Sequence, residues 1–313
     1  MTVRPPHEPI SWGRSLPFLF AHALPLVAFF LPFHWSYVVL ALASYYLRML
    51  FLTIGYHRYF AHRSYQTSRR FAFVLAFLAQ LSAQKGVLWW ASHHRHHHRA
   101  SDQDDDTHSP TQRGLWWSHF GWVMAQKHEA PRLELIKDFA RFPELMFLDR
   151  FWWLPSTLGL GVLFAIGGLP WVMWGGVIST VLLFHGTFTI NSLAHVFGKR
   201  RYLTTDTSRN NWLLALITCG EGWHNNHHYH SNTANQGWFW WEIDTSYYVL
   251  RALSAVGLVW KLRTPERQTR DAHLTYTVEQ RRLLDTQAGF GSRRPEQPVS
   301  AGPALPAGLP QRA

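Results

Sequence analysis

Apolar residues are gathered into a few long runs along this chain, and the stretches between them are strongly polar. Residues 16–33 and 36–55 are each about the length needed to cross a hydrocarbon core of roughly 30 Å, and read as a hairpin of two spans. Residues 152–190 are long enough for two more, broken at Gly167, Gly168 and Pro170 by turn chemistry. A further run at 71–90 is interrupted by Gln80, Ser82, Gln84 and Lys85, so it is read as an interfacial helix and not as a span. The pattern predicts an all-α integral membrane protein with four transmembrane helices in two hairpins and a polar helical cap domain. Its segments are an N-terminal piece (1–15), the first hairpin (16–55), a polar region (56–151), the second hairpin (152–190), a second polar region (191–262) and a polar C-terminal segment (263–313). Residues 287–313, rich in Pro, Gly and Arg and without apolar periodicity, are expected to be disordered.

Composition agrees with the pattern: 47% of the 313 residues are hydrophobic, 17 are Trp and only 16% are charged, which suits burial in lipid. The formal charge of +11 favours an anionic partner, and the aromatic-rich spans make that partner membrane lipid and not nucleic acid. The single Cys219 permits no intramolecular disulfide framework. No secretory cleavage pattern follows the first residues, so the first span is expected to stay as an anchor. The connections within the two hairpins, around 33–36 and 167–170, carry no Lys or Arg. By the positive-inside rule both termini and the central polar region then face the cytoplasm. Arg48 is the exception inside a span, and is read as a side chain snorkelling to the membrane surface or as part of a protruding helix end.

Histidines carry the chemistry. In ASHHRHHHRASD (91–102), His94, His97 and His98 have i, i+3, i+4 spacing, which places three imidazoles on one helix face. The spacing recurs in GEGWHNNHHYH (220–230) as His224, His227 and His228. GYHRYFAHRSY (55–65) adds His57 and His62, expected at the cytoplasmic end of the second span and in the turn after it. NSLAHVFG (191–198) adds His195, one turn after Asn191, where the fourth span emerges. Two spans separate the second cluster from the third, so all four elements return to one side of the membrane. Nine imidazoles exceed the roughly four to six ligands one metal takes, and together with water they suit two metals. Imidazole alone does not select the metal.

A His-rich tract is otherwise a nonspecific chelator or an accident of composition. That bland reading is kept for His7, His22, His34, His119, His128, His185 and His273, and His93 and His96 are read as flanking residues. Asp106 is expected to accept a hydrogen bond from a ligating imidazole. Asp102, Asp104 and Asp105 are expected to be solvent-exposed.

The elements HRYFAH, HRHHH, NSLAH and GEGWHNNHH, interleaved with two membrane hairpins, resemble the membrane-bound fatty acyl desaturases of the stearoyl-CoA Δ9 type over roughly residues 15–260. SHFGW (118–122) and WWEIDTSYYVL (240–250) add to the resemblance. It implies that the nine histidines hold two iron ions, that Asn191 holds one through a bound water, and that O2 is a co-substrate. Removing two hydrogens from an unactivated methylene pair is beyond side-chain acid–base chemistry, so the oxidising power must come from such a cofactor. The implied reaction places a cis double bond, Δ9 first among the positions, in a saturated acyl chain. That chain would lie in a closed apolar tunnel, with Trp90, Trp117 and Trp122 as candidate lining residues; their other reading is as aromatic anchors at the membrane interface.

The resemblance is incomplete at the headgroup. Where animal acyl-CoA enzymes of this type have an Arg before the second box and an Arg-Lys pair after the SHxGW element, this chain has Ser92 and Gln126-Lys127. Lys127 alone is retained as a candidate substrate contact. An acyl-CoA, an acyl carrier protein and a membrane glycerolipid all remain open as the acyl donor. No fused haem-binding or dinucleotide segment is visible, so an external donor of the ferredoxin, rubredoxin or cytochrome b5 type with its reductase is implied. Two other readings are a di-iron lipid hydroxylase and a His-rich membrane metal-handling protein. Spans almost free of acidic residues argue against the second.

Overall fold

The computed structural model describes residues 8–286, so the expectation for 287–313 lies outside the described residues. Helix α1 (Trp12–Ala23) starts before the apolar run and continues as a 3-10 helix over Leu24–Phe30. Helix α2 (Trp35–Phe51) passes without a break into a π-helical stretch, Leu52–Ala61. His57 therefore lies inside the helix, not just past its end, and His62 caps it. In a π turn the N–H of residue i+5 bonds the carbonyl of residue i, and the His62 N–H donates to the His57 carbonyl at 3.2 Å. The i+5 spacing of these two histidines is thus one turn of π-helix.

The run at 71–90 is not one helix. It divides into α3 (Arg69–Gln80) and α4 (Val87–Ala100) across a turn in which Ala83 and Lys85 take positive φ, 57° and 60°. The polar residues that interrupt the run face protein: Gln80 Nε2 donates to the Leu148 carbonyl at 3.0 Å, and Gln84 Nε2 to Thr187 Oγ1 at 2.8 Å. Helix α4 has no capping side chain of its own. Asp149, on α5 (Pro143–Arg150), supplies one by accepting from the Leu88 and Trp89 amides at 2.8 and 2.9 Å.

Helix α6 (Trp153–Trp171), a π-helical stretch (Val172–Ile178) and α7 (Ser179–Ser192) follow one another without a loop. The helical dihedrals fail at Gly167 and Gly168, the latter at φ 62°. A Cβ on Gly176 would meet Leu160 Cδ2 at 2.4 Å. Sixteen residues of straight helix would hold those two positions about 24 Å apart, so the chain folds back at the glycine pair. Gly175 approaches Leu40 of α2 in the same way, at 3.1 Å.

Among the described residues three helical stretches are long and apolar enough to cross a membrane: Trp12–Phe30, Trp35–Ala61 and Trp153–His195, the last containing the fold-back. Their outward faces carry Phe29, Phe30, Phe164 and Ile166, all more than 60% exposed, an apolar surface suited to lipid and not to water. Arg48 differs from its expected place. It neither snorkels nor protrudes but is buried and hydrogen-bonded between helices.

The cap closes around Tyr56, Phe60, Tyr65, Leu75, Leu88, Ile136 and Leu148, all essentially inaccessible. A two-residue antiparallel pair, β1 (Gln66–Thr67) with β2 (Val259–Trp260), ties the chain after the first histidine pair to the C-terminal side. Between them lie α8 (Trp212–Ile217), α9 (His224–Tyr229) and α10 (Thr245–Ala255), started by Asn211 for α8 and Asp244 for α10 as capping acceptors.

Candidate metal centre

The nine histidines meet in the cap, in two groups. His57, His62, His94, His98 and His227 form one; His97, His195, His224 and His228 form the other, and within each group one ring nitrogen per residue lies within 4.8 Å of all the rest. Each i, i+3, i+4 triplet is therefore shared between the groups and does not converge on one point. On an α-helix, steps of three and four residues turn about −60° and +40°, so His97 leans to one side of His94 and His98 to the other. α9 faces α4 with the opposite division: His227 joins the first group, His224 and His228 the second.

The Nε2 atoms point inward. His57 and His227 approach at 3.1 Å, His62 and His94 at 2.8 Å, His94 and His98 at 3.0 Å, His98 and His227 at 2.9 Å, and His195 and His224 at 3.1 Å. Ligand nitrogens about 2.1 Å from a metal and at right angles to one another lie about 3 Å apart, so this packing fits a metal-bound set. Nε2 of His97 and of His228 are buried with no hydrogen-bond partner among the described residues, which also suits a bound cation.

Carboxylates hold the outer edges of four rings. Asp106 lies 2.8 Å from His97 Nδ1, Asp102 3.2 Å from His195 Nδ1, Asp206 2.7 Å from His228 Nδ1 and Glu221 2.5 Å from His57 Nδ1. An acceptor at Nδ1 fixes the tautomer that leaves the Nε2 lone pair free. Burial alone would raise these carboxyl groups, but the facing imidazoles and neighbouring hydroxyl and amide donors outweigh it. Asp102, Asp106 and Asp206 are held well below the usual carboxylate range, and Glu221 is lowered too. Burial first, and then the other imidazoles, push His94, His98, His224 and His227 well below 6.5, so the rings are neutral and able to act as ligands.

Asp102, expected in solvent, is buried and also accepts from Ser109 Oγ, Thr207 N and Thr207 Oγ1 at 2.6–2.7 Å. Asp104 and Asp105 are exposed. Sequence reasoning passed over Glu221 and Asp206. Glu221 carried a signal, standing three residues before His224 in the third box, whereas nothing local marks Asp206. His108 was also passed over: it is buried, its ring is 4.2 Å from that of His97, and with His97 and Asp106 it forms a third potential ligand group. His128, read as a surface residue, is buried with Nε2 3.1 Å from Glu8, and His119 and His185 bond each other at 2.9 Å.

A cavity of about 290 Å³ runs beside the first group. His94, Trp90, Trp122 and Asn191 line it, together with Phe18 of α1 and Phe184 and Phe188 of α7. Trp90 stacks on His94 at 5.0 Å and donates to Gln84 Oε1 at 3.3 Å, while Gln84 holds Thr187 across the cavity. Trp117 does not line it: its Nε1 donates to the Thr107 carbonyl at 3.2 Å, with Arg113 over its ring. Lys127 also stands outside, paired with Asp105 at 3.0 Å and Glu8 at 3.4 Å. The charged lining side chains are Arg14 and Glu129, which pair with each other, and Lys85, which lies over Trp89.

A fatty acid desaturase family model matches residues 17–263. Among characterised proteins, the chain is 36% identical over 276 residues to the sn-1 stearoyl-lipid 9-desaturase of Anabaena variabilis, covering 86% of this chain and all of that protein. It is 34% identical over 262 residues to the sn-2 palmitoyl-lipid 9-desaturase of Nostoc sp. (strain 36), covering 81% and 90%. An acyl-CoA 5-desaturase of Anemone leveillei is 37% identical over 248 residues, covering 78% and 77%. With its helical membrane segments and its paired histidine groups, this chain belongs to the fatty acid desaturase family and is an oxidoreductase that introduces a double bond into a fatty acyl chain.

Proposed function

We propose that the two histidine groups hold two iron ions and that the enzyme introduces a cis Δ9 double bond into a saturated chain lying in the cavity beside them. The observation that carries this reading is that His94 belongs both to the five-histidine group and to the cavity wall. His57, His62, His94, His98 and His227 would hold one iron, and His97, His195, His224 and His228 the other. Asn191, on the cavity wall, would hold one of them through a water. Bound there, the metals would activate O2 and supply the oxidising power for removing two hydrogens from a methylene pair.

The chain's own residues do the rest. Asp102, Asp106, Asp206 and Glu221 orient the imidazoles. Trp90, braced by Gln84 and Thr187, fixes where the acyl chain passes His94, which is catalysis by positioning. Trp89, Trp122 and Phe188 make the walls apolar and keep water from the reacting carbons. The fold-back at Gly167–Gly168 supports four membrane crossings, and the absence of Lys and Arg from the connections around 33–36 and 167–170 is what favours the cytoplasmic side for the cap and both termini. An external ferredoxin, rubredoxin or cytochrome b5 type donor would supply electrons. The relatives' names include both acyl-lipid and acyl-CoA desaturases, and both substrate forms stand for this chain.

The test is gas chromatography with mass spectrometry of total fatty acids from a desaturase-deficient host. Wild type is expected to yield Δ9 monounsaturated chains, and His97→Ala and His227→Ala none. Hydroxy acids, or double bonds mapped elsewhere, would overturn the reading.

A further inference from the structure

Arg48 stands in the second membrane helix with 8% exposure, and no carboxylate pairs with it among the described residues. Its Nε donates to the Ser44 carbonyl at 3.2 Å, Nη1 to the Leu81 carbonyl at 3.2 Å and Thr180 Oγ1 at 2.6 Å, and Nη2 to Ser179 Oγ at 2.5 Å. A buried guanidinium is costly in an apolar surround, so a site that spends four neutral acceptors on it invites a functional explanation.

Those acceptors belong to, or stand beside, the wall of the cavity. Thr180 lines it, and Leu81 leads into Ala83 and Gln84, which also line it. One face of α7 runs along its length: Thr180, Phe184, Thr187, Phe188 and Asn191 recur at helical spacing. From Asn191 to Thr180 is eleven residues, about 16 Å of helix. Asn191 and His94 mark the metal end, so Thr180, with Arg48 directly behind it, marks the other.

Resting on the reading that this cavity holds the acyl chain, we propose that Arg48, which stands behind Thr180 and not on the cavity wall itself, backs its distal end and sets the upper limit on the length of the acyl tail. A methylene pushed past Thr180 would have to displace a guanidinium whose hydrogen bonds it cannot replace. Shorter tails stop before that point and pay nothing, so the limit falls on long chains only.

The test is the fatty acid profile of a desaturase-deficient host fed myristate, palmitate, stearate and arachidate while expressing wild type, Arg48→Ala or Thr180→Leu. One methylene in a closed apolar site changes preference by about tenfold or more. Arg48→Ala is therefore expected to raise the ratio of desaturated arachidate to desaturated palmitate at least about tenfold. Thr180→Leu keeps the arginine but fills the distal space, and is expected to shift the ratio toward myristate. An arginine that only braces the helices would lower all products together and leave these ratios unmoved, and unmoved ratios in Arg48→Ala would overturn the proposal. If Arg48→Ala does not accumulate, Arg48→Gln, which keeps hydrogen-bond donors on a shorter side chain, is read by the same arachidate-to-palmitate ratio, and an unmoved ratio there overturns the proposal too. A wild type that desaturates none of the four chains would instead overturn the functional reading beneath it.

Discussion

The Glu221 carboxylate lies 2.5 Å from Nδ1 of His57, while Nε2 of the same ring faces His227 at 3.1 Å. Glu221 is itself held by Arg58, a fully buried guanidinium 3.1 Å away that also pairs with Asp244, and by Gln236 at 2.8 Å. The whole assembly therefore fixes one imidazole ring in the tautomer that binds a metal. Glu221→Gln keeps the shape and removes the charge that orders it. It is expected to weaken metal binding about 10- to 100-fold, measured by competition with a chelator on the purified protein. Unchanged metal affinity would show that His57 needs no such support.

Gly86 marks the start of the helix that carries His94, His97 and His98. A Cβ there would lie 2.0 Å from Asp149 Oδ1 and 2.7 Å from Asp149 Cα, the residue that caps this helix. The second contact is to backbone, so a side-chain rotation does not relieve it. Gly86→Ala is expected to cost about 1–3 kcal/mol through overpacking, and Asp149→Ala about 1 kcal/mol through the lost cap. Thermal unfolding in detergent measures both; a melting temperature equal to wild type for Gly86→Ala would contradict the packing.

The candidate metal site was partly legible in the sequence because its histidines obey local rules. His94 and His98 are one α-turn apart, and the triplet repeats in a second helix, so spacing alone finds both. How the nine divide into two groups is not local: it follows from the way α4 and α9 face each other. Asp102 was misread as exposed because its partners Thr207 and His195 stand far along the chain, where no periodicity points. The π turn through His57 and His62 escaped for another reason. It is a hydrogen-bond register, and apolar patterning carries no trace of it.

His128 is buried beside Lys127, Arg132 and Arg113, and the Glu8 carboxylate 3.1 Å from its Nε2 is shared with Arg113 and Lys127. Burial first, and then those three cations, push its pKa down to about 3. The unfolded chain takes up this proton near 6.5 while the folded chain refuses it, so the stability contribution is full above 6.5 and is lost as pH falls toward 3. Wild type is expected to lose melting temperature steadily on acidification through that window. His128→Gln removes one titrating group and is expected to flatten the decline. Parallel pH profiles for the two proteins would rule out His128 as a source of the acid sensitivity.

Gln84 links two walls of the cavity, accepting from Trp90 Nε1 at 3.3 Å and donating to Thr187 Oγ1 at 2.8 Å. Trp90 in turn stacks on His94, so under the proposed function the indole's position would set which part of a bound chain passes the first histidine group. Thr187→Val preserves volume and removes the acceptor, leaving the Gln84 amide without its partner across the cavity. A loosened indole would tolerate the chain in more than one register. The expected outcome is a broader distribution of double-bond positions, resolved by mass spectrometry of dimethyl disulfide adducts. Total product is expected to fall less than the positional purity, because the nine histidines are untouched. A single, unshifted position at reduced yield would mean that Trp90 is held by packing alone and that the Gln84 bridge does not choose the bond.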